Sequence, residues 1–357
     1  MIERGRQLSR LPYRMIEMGP GDALEVDASC VLVAAGGFED RSRALLSLVR
    51  PGTTLFQEAL VLRYDGDGPA DRARAQAVVD AVGDVCQADP VLVDVNIDHP
   101  TASVHSLLAS LSELRVRSRV SAALVDVSGL TQMFGIAVLH GCNVVGISDS
   151  VFYAEAGSYY PLETEVGEIV AQATEAGTYD YWELLQSEGL QSVHIHPEFA
   201  GSFRIDHPVA LATFLGYEPS RVRGLLDEYS PAAVIALYGT PPYEKFAWRT
   251  QFSRMLHESL LRRWPMRSEE VSTFDVDEIY GVLSEVYRSL GSEYDLGIAL
   301  QCSKLQMVAT YWFWRDHPEV QLVFTCPISF NRARYSEGVG RQFLLTRGAS
   351  VAVAEQR

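Results

Sequence analysis

The 357-residue sequence predicts an α/β fold of two units, each a mostly parallel sheet flanked by helices, joined by a connecting segment. In the first half, short runs that are apolar throughout alternate with stretches of helical periodicity, and the same alternation starts again after residue 230. Strands that are apolar on both faces and are each followed by a helix are typical of parallel sheets covered on both sides. A chain of this length also exceeds one ordinary core.

The first unit is expected over residues 1–165, where five apolar runs predict strands and the stretches between them predict helices. The strands are predicted at 31–36, 58–64, 91–96, 122–127 and 143–148, and the helices at 40–50, 70–82, 102–114 and 130–141. An open parallel sheet with a helix after each strand is the pattern of a Rossmann-like unit.

Residues 166–229 predict a connector with helices, and residues 230–357 predict a second Rossmann-like unit. Its strands are expected at 232–239, 294–300 and 320–326, and its helices at 243–263, 276–290 and 303–314. Laying ALVDVSGLTQM (123–133) on GIALQCSKLQM (297–307) pairs Gln132 with Gln306 and Met133 with Met307. The repeated order of elements indicates an internal duplication in which the second unit lacks one strand–helix pair.

Composition and charge exclude some classes of function. A formal net charge of −16 argues against general binding of the nucleic-acid backbone, which requires a basic surface. It does not exclude a small phosphorylated ligand held in a local basic pocket. The five cysteines are scattered and never in CxxC spacing, which indicates reduced thiols. Residues 1–20 lack the apolar core of a signal peptide, and no apolar run is long enough for a membrane span. A cytoplasmic protein without a membrane partner is therefore expected.

Four stretches that follow predicted strands are candidates for a binding site, because ligands of open parallel sheets bind outside the carboxyl ends of the strands. They are GGFEDRSR (36–43) with Gly37, Glu39 and Arg41, DVSGLTQ (126–132) with Ser128, Gly129 and Thr131, YGTPPYEKFAWR (238–249) with Lys245, and QCSKLQ (301–306) with Ser303 and Lys304. Glycine permits sharp turns and close approach of the backbone, and Ser or Thr can cap a helix.

Cations recur in the first turn of the helices predicted after these stretches, at Arg41, Lys245 and Lys304. A cation in that position opposes the helix dipole by about 0.3–1 kcal/mol. The recurrence favours an anion held between the cations and the helix amides. The alternative is that each cation is a solvated surface residue without a ligand.

Two further features have both a functional and a structural interpretation. Asp126 ends a strand that should be central, and the turn after it is either a cradle for phosphate or ribose or a capped helix start in which Asp126 accepts backbone N–H groups. In PISFNRARYSEGVGR (327–341), Arg334 and Tyr335 suit gripping a phosphate and stacking a base, whereas the structural alternative is an exposed hairpin.

Signatures of known catalytic and cofactor sites are missing from the strand–helix junctions. No GxSxG, HExxH, GxxxxGK[ST] or GxGxxG motif occurs there, so the cofactor stays unknown. His194 and His196 form an HIH sequence without a third ligand in evidence, and no metal site is predicted.

The strand–DVSGLTQM–helix stretch resembles the turn of CARF domains, in which a strand enters a small, hydroxyl- and glycine-rich turn ahead of a helix. Two such units in one chain resemble the SAVED domain, a tandem CARF-like sensor of bacterial anti-phage systems. The sequence departs from the family pattern at four positions: Leu130 stands where a second glycine is common and Gln132 where a lysine is common, and Cys302 and Leu305 replace small or hydroxyl residues.

The resemblance implies that the chain contacts a cyclic oligonucleotide messenger. By position, contact would fall on Ser128, Gly129 and Thr131, and on Ser303 and Lys304 in the second unit. The loops from Gly37 to Arg41 and from Thr240 to Lys245 would complete the cleft. Since no effector domain is visible in the chain, the resemblance implies either a separate effector protein as partner or that the chain is itself an effector.

Three functions are consistent with the sequence. The first is a nucleotide sensor of a bacterial defence or stress system. The second is an enzyme acting on a nucleotide or another phosphorylated small molecule, with Asp126 or Glu39 as acid or base and with Arg41 and Lys304 stabilising developing charge. The third is a scaffold whose acidic surface suits a basic partner. The sequence leaves the ligand, its turnover and homo-oligomerisation open.

Overall fold

The computed structural model describes residues 11, 13–19, 21–50, 52–64, 68–176, 186–346 and 350–354. Within these ranges the chain forms two large sheets with parallel cores, flanked by helices. The predicted fold class, two Rossmann-like α/β units with a connecting segment, is confirmed.

The described strands are, in chain order, β1 (Arg14–Met18), β2 (Ala23–Val26), β3 (Cys30–Ala35), β4 (Glu58–Tyr64), β5 (Val91–Val95), β6 (Ala122–Asp126), β7 (Ser148–Ala154), β8 (Ser158–Tyr159), β9 (Ser187–Glu188), β10 (Ser192–His194), β11 (Val209–Leu215), β12 (Ala233–Thr240), β13 (Met266–Ser272), β14 (Asp295–Ala299), β15 (Gln321–Cys326), β16 (Ser329–Phe330), β17 (Ser336–Glu337), β18 (Gln342–Thr346) and β19 (Val351–Ala354). The α-helices are α1 (Pro69–Gly83), α2 (Pro100–Arg117), α3 (Gln132–Val144), α4 (Glu163–Ala176), α5 (Pro219–Tyr229), α6 (Trp248–Leu261), α7 (Val276–Leu290) and α8 (Lys304–Asp316). Short 3-10 helices lie at Asp40–Leu48, Pro197–Phe199, Glu244–Phe246 and Arg332–Arg334.

The first sheet has the order β1-β18-β7-β6-β3-β4-β5. The five strands from β7 to β5 are parallel, whereas β18 and β1 add antiparallel at the β7 edge. The central strands β3 and β6 are buried along their whole length, as expected where helices cover both faces of a parallel sheet, and they are apolar except for Asp126 at the end of β6. Chain order reverses between β3 and β6, as in Rossmann folds.

The second sheet has the order β10-β15-β14-β11-β12-β13. Its five strands from β15 to β13 are parallel and repeat the arrangement of the first sheet, with the reversal between β11 and β14. The strand β10 pairs antiparallel with β15 at the other edge.

The predicted boundaries of the units need correction. The pair β11–α5 lies in the segment 166–229 that was assigned to the connector, yet β11 is the central strand of the second sheet. The second unit therefore lacks no strand–helix pair. Conversely, β18 was expected in the second unit and pairs with β7 in the first sheet. Residues 1–10, 177–185 and 355–357 of the predicted units lie outside the described residues.

One strand of the first unit also lies later than predicted. The sequence predicted a strand at 143–148, but α3 continues to Val144 and β7 spans Ser148–Ala154. The apolar residues at the end of α3 prolong the buried face of a helix that is apolar almost all round, so periodicity alone could not separate helix from strand.

The two units share one hydrophobic core. It includes Val125 and Phe134 of the first unit together with Ile298 and Trp312 of the second. The helices α3 and α8 pack against each other at its centre. Gly135 allows this approach, because a methyl group there would meet the Met307 side chain. None of the helices in the described ranges combines the length and the apolar character needed to cross a bilayer.

Candidate functional site

The reversal of strand order in the first sheet brings two of the four candidate stretches together. The loop after β3 and the turn after β6 are in contact, and a methyl group on Gly37 would lie 3.1 Å from Gly129 Cα. A methyl group on Gly129 would lie 2.8 Å from the Ala35 carbonyl oxygen. Both positions therefore require glycine for close packing of backbone on backbone.

Four charged side chains meet beside this turn, and we call them the central cluster: Glu39, Arg41, Asp126 and Lys304. Arg41 is only 7% exposed. Its Nη2 donates to both Glu39 oxygens at 2.8 and 3.0 Å. Its Nη1 donates to the Tyr159 hydroxyl at 3.3 Å and the Ala154 carbonyl at 3.4 Å. The buried Nε of Arg41 has no hydrogen-bond partner in the described part of the chain.

Glu39 is held as a carboxylate by its neighbours. Burial acts to raise its pKa, but Arg41, Lys304 and the Ser336 hydroxyl more than offset burial, so the pKa lies below its ordinary value. The Ser336 hydroxyl donates to Glu39 Oε1 at 2.6 Å. Glu39 is therefore charged at neutral pH and unsuited to donate a proton.

Lys304 brings a cation from the second unit into the first. It is the first residue of α8, and its Nζ donates to the Leu130 carbonyl in the turn after β6. In return, Gln132 at the start of α3 donates to the Cys302 carbonyl of the second unit at 3.0 Å. Burial lowers the pKa of Lys304 to about 8, although the Glu39 charge opposes the shift.

Asp126 is the most buried member of the cluster. It accepts the Ser128 backbone N–H at 2.9 Å, as the capping interpretation predicted. Burial raises its pKa to about 7, against the opposing effects of Ser128, Arg41 and Lys304. At about 1.4 kcal/mol per pKa unit, the shifts of Asp126 and Lys304 each cost folding free energy on the order of 3–4 kcal/mol near neutral pH. The pKa of Glu39 is lowered and that of Arg41 is raised, so this cost falls on Asp126 and Lys304 alone. Buried groups whose pKa values are shifted towards neutral pH are typical of functional sites.

The helix that starts at this turn has no side-chain cap. Thr131 is the N-cap residue of α3, and its side chain accepts no cap hydrogen bond from the described residues. The Tyr64 hydroxyl fixes the turn, since it accepts the Thr131 N–H at 2.8 Å and donates to the Gly129 carbonyl at 3.2 Å. The first-turn amides of α3 thus lie next to the cluster without a capping side chain, an arrangement that suits an anion.

Two hydroxyls that were predicted as ligand contacts are bonded within the fold. Ser128 is fully buried, and its Oγ accepts the Ala154 backbone N–H at 3.0 Å. Ser303 caps α8: its Oγ accepts the Gln306 N–H at 3.1 Å and donates to the Thr273 carbonyl at 2.7 Å. Both hydroxyls therefore contribute to the fold, and their assignment as ligand contacts stays a prediction.

Lys245 lies outside the central cluster. It is exposed in the short 3-10 helix, with its Nζ 4.8 Å from the centroid of the Phe246 ring. The loop that carries it follows β12, one strand away from the reversal between β11 and β14, and α6 begins only at Trp248. Arg249 contacts the first unit instead, donating to the carbonyls of Tyr159 at 2.7 Å and Pro161 at 3.0 Å.

Arg334 and Tyr335 flank the cluster rather than enter it. Arg334 forms an ion pair with Glu165 at 2.7 Å and lies over the Tyr160 ring. Tyr335 packs edge-on against Phe38, with ring centroids 5.2 Å apart.

Sequence reasoning missed three side chains around the cluster: Tyr64, Tyr159 and Ser336. Tyr159 and Ser336 bond to cluster members, and Tyr64 bonds to the turn beside the cluster. All three partners are far away in the chain, so no local pattern could place these side chains. The one available signal was the position of Tyr64 at the end of a strand next to β3. Among the described residues, no group of three or more His, Cys, Asp or Glu is placed to hold a metal ion.

Fold and site together define a two-unit Rossmann-like α/β protein with a buried charged cluster where its units meet. No family model matches the chain, and no curated protein matches it.

Solved structures with a similar fold include the UDP-GlcNAc 2-epimerase from Neisseria meningitidis bound to UDP-GlcNAc, at 12% identity and a TM-score of 0.24, covering 81% of this chain and 92% of that one. They also include the apo form of the lipopolysaccharide outer core galactosyltransferase WaaB, at 8% identity and a TM-score of 0.24, covering 82% and 91%.

Proposed function

We propose that the chain is a sensor module that binds a nucleotide-type anion between its two units, of the cyclic oligonucleotide class implied by the resemblance to SAVED domains. The observation that carries the proposal is the buried Arg41 guanidinium, whose Nε is unpartnered among the described residues, next to Lys304 and the uncapped start of α3. We place the module in a bacterial anti-phage defence or stress system.

The chemistry of the cluster fits a phosphate group. Guanidinium matches phosphate geometry through two nitrogens, and backbone amides at a helix start add donors on the same side. Because Arg41 comes from the first unit and Lys304 from the second, an anion held by both would link the units. A change in their arrangement is a signal that a separate effector protein could detect.

A thermal-shift screen tests the proposal. The purified protein is heated with cyclic di- and trinucleotides, linear oligoadenylates, ATP or NAD. A ligand at a hundred times its Kd adds about 2.7 kcal/mol to the free energy of unfolding, which raises Tm measurably. Arg41→Gln should abolish the shift, whereas Arg43→Gln, an exposed arginine of the same short helix, should retain it.

A flat result across the panel would contradict the sensor proposal and favour a scaffold with an acidic surface. A shift that survives Arg41→Gln would place the binding site elsewhere in the molecule.

A second candidate function is an enzyme acting on the same class of ligand. It is favoured by Asp126 and Lys304, whose pKa values of about 7 and about 8 suit proton transfer near neutral pH. Chromatography of a binding nucleotide after prolonged incubation separates the two: a sensor returns it intact, whereas an enzyme converts it and loses this conversion on Asp126→Asn.

A further inference from the structure

One segment of the second unit contacts the first unit beside the central cluster. We call this segment, Pro327–Arg341, the strap. Its β17 pairs with β8 of the first unit, and the Gly338 N–H donates to Asp40 Oδ2 at 2.9 Å. The Tyr160 hydroxyl donates to Glu337 Oε1 at 2.8 Å. The strap is therefore fastened to the first unit on both sides of the loop after β3.

Glu39 connects the strap to the buried arginine. The same carboxylate accepts from Arg41 Nη2 and from the Ser336 hydroxyl of the strap. Side-chain exposure is 10% for Glu39 and 8% for Arg41, so this pair is largely removed from solvent.

We propose that Glu39 is a latch: its carboxylate occupies the anion position on Arg41 and holds the strap at Ser336, and a bound anion displaces it and loosens the strap around Ser336. This regulation rests on the proposed function, because it requires an anion at the cluster.

The geometry of the Arg41–Glu39 pair makes Glu39 a replaceable partner. The strongest grip of a guanidinium on an oxyanion uses two nitrogens side by side. Here a single nitrogen, Nη2, serves both carboxylate oxygens, and Nε stays buried without a partner in the residues described. A phosphate has a further oxygen for Nε and a second charge for Lys304, so it satisfies the arginine better than Glu39 does.

Displacement of Glu39 has a direct effect on the strap. A carboxylate without its cation is costly to keep buried, so Glu39 must turn towards solvent, where its neighbour Asp40 is exposed. The Ser336 hydrogen bond is then lost. The strap keeps its β17–β8 pairing, the ion pair of Arg334 with Glu165 and the hydrogen bonds through Gly338 and Glu337, so the effect is a loosening around Ser336.

The first experiment measures affinity with inorganic pyrophosphate as the probe, by calorimetry on the full chain. Glu39→Gln removes the charge that competes for Arg41, and we expect pyrophosphate to bind about tenfold more tightly, as for the loss of one charge-assisted hydrogen bond. Glu337→Gln is the matched control: it makes the same change on the strap without contacting Arg41, and its affinity should equal that of the wild type.

The second experiment measures the strap itself, by tryptic cleavage after Arg332 and Arg334 under native conditions. Pyrophosphate should accelerate cleavage of the wild type several-fold. Ser336→Ala cuts the link between Glu39 and the strap while leaving Arg41 paired, so its strap should be cleaved rapidly already without pyrophosphate and should gain little from adding it.

The outcomes separate the two proposals. Pyrophosphate binding with unchanged cleavage, or equal affinity of Glu39→Gln and wild type, overturns the latch and leaves the anion site standing. Absence of binding in the wild type, Glu39→Gln and Ser336→Ala overturns both. If Glu39→Gln does not fold, the cleavage comparison between Ser336→Ala and wild type decides the matter alone.

Discussion

The turns before α3 and α8 hold the same place in two units of the same topology, but their side chains are used in opposite ways. The second turn, Leu300–Cys302, follows the apolar end of β14 and leads into a helix closed by a capping box between Ser303 and Gln306. The first turn, Val127–Leu130, follows the buried carboxylate of Asp126 and leads into a helix whose N-cap side chain makes no cap bond to the described residues.

The difference shows how a duplicated fold can divide stability and binding between its copies. After the second turn, the side chains of Ser303 and Gln306 accept each other's backbone N–H groups, which stabilises the start of α8. Lys304, the next residue, donates from Nζ to the Leu130 carbonyl of the first unit. Among the described residues, no side chain caps α3 after the first turn, and the buried charges of the central cluster lie beside this helix start. Both features lower stability. We expect substitutions in the two turns to differ in their effects on stability and on anion binding.

The largest effect should come from Asp126→Asn, which preserves the acceptor for the Ser128 N–H. The folded pKa of Asp126 is raised to about 7 from an ordinary 3.8, so its contribution to stability is full below pH 4 and is lost as pH rises towards 7. The variant does not titrate there, and should gain up to about 4 kcal/mol over wild type between pH 4 and pH 7.5. Urea denaturation across this range measures the difference, and parallel curves for the two proteins would contradict it.

The next effect is steric and compares two glycines that follow strands next to the reversals of strand order. Gly129→Ala places a methyl group 2.8 Å from the Ala35 carbonyl, where backbone must move, and should cost about 1–3 kcal/mol. Gly216→Ala, in the loop after β11, meets no described atom within 4 Å and should cost far less. Equal losses of Tm in the two variants would show that the first turn is not tightly packed.

Anion binding should weaken with rising pH. A lowered pKa of about 8 means that Lys304 loses its charge as pH rises through 8, and Asp126 gains its negative charge above about 7. Both changes oppose an anion, so pyrophosphate affinity should fall about tenfold between pH 7 and pH 9. In Lys304→Met the pH dependence of pyrophosphate affinity above pH 8 should disappear. Calorimetry at four pH values tests this, and a dependence that persists in the variant would contradict the prediction.

The smallest expected effect on stability concerns the N-cap residues of α3 and α8. Ser303→Ala removes a capping hydrogen bond and should destabilise the protein by about 1 kcal/mol. Thr131→Ala removes no cap bond, and its free energy of unfolding should stay within about 0.5 kcal/mol of wild type. A loss of stability in Thr131→Ala as large as that in Ser303→Ala would mean that both helices are capped alike.

Much of the fold followed from local pattern, because apolar strands and amphipathic helices alternate regularly along the chain. The sequence also indicated that the Arg41 loop and the Gly129 turn both follow strands of the first sheet, and the two are in contact there. It could not give strand order, and this is why Lys245, in the loop after β12, was grouped with residues that lie one strand away. Nor could it show that the Ser128 and Ser303 hydroxyls bond to backbone groups already present in the fold.

Because β18 lies in the first sheet, the folding of the first unit depends on the synthesis of the second. Its position between β7 and β1 means that β1 cannot pair until residue 346 has left the ribosome. Pairing partners so far apart in sequence slow folding, because a long loop must close before the contact forms. We therefore expect the two halves, expressed separately, to leave the first sheet with an unpaired edge that is prone to aggregation.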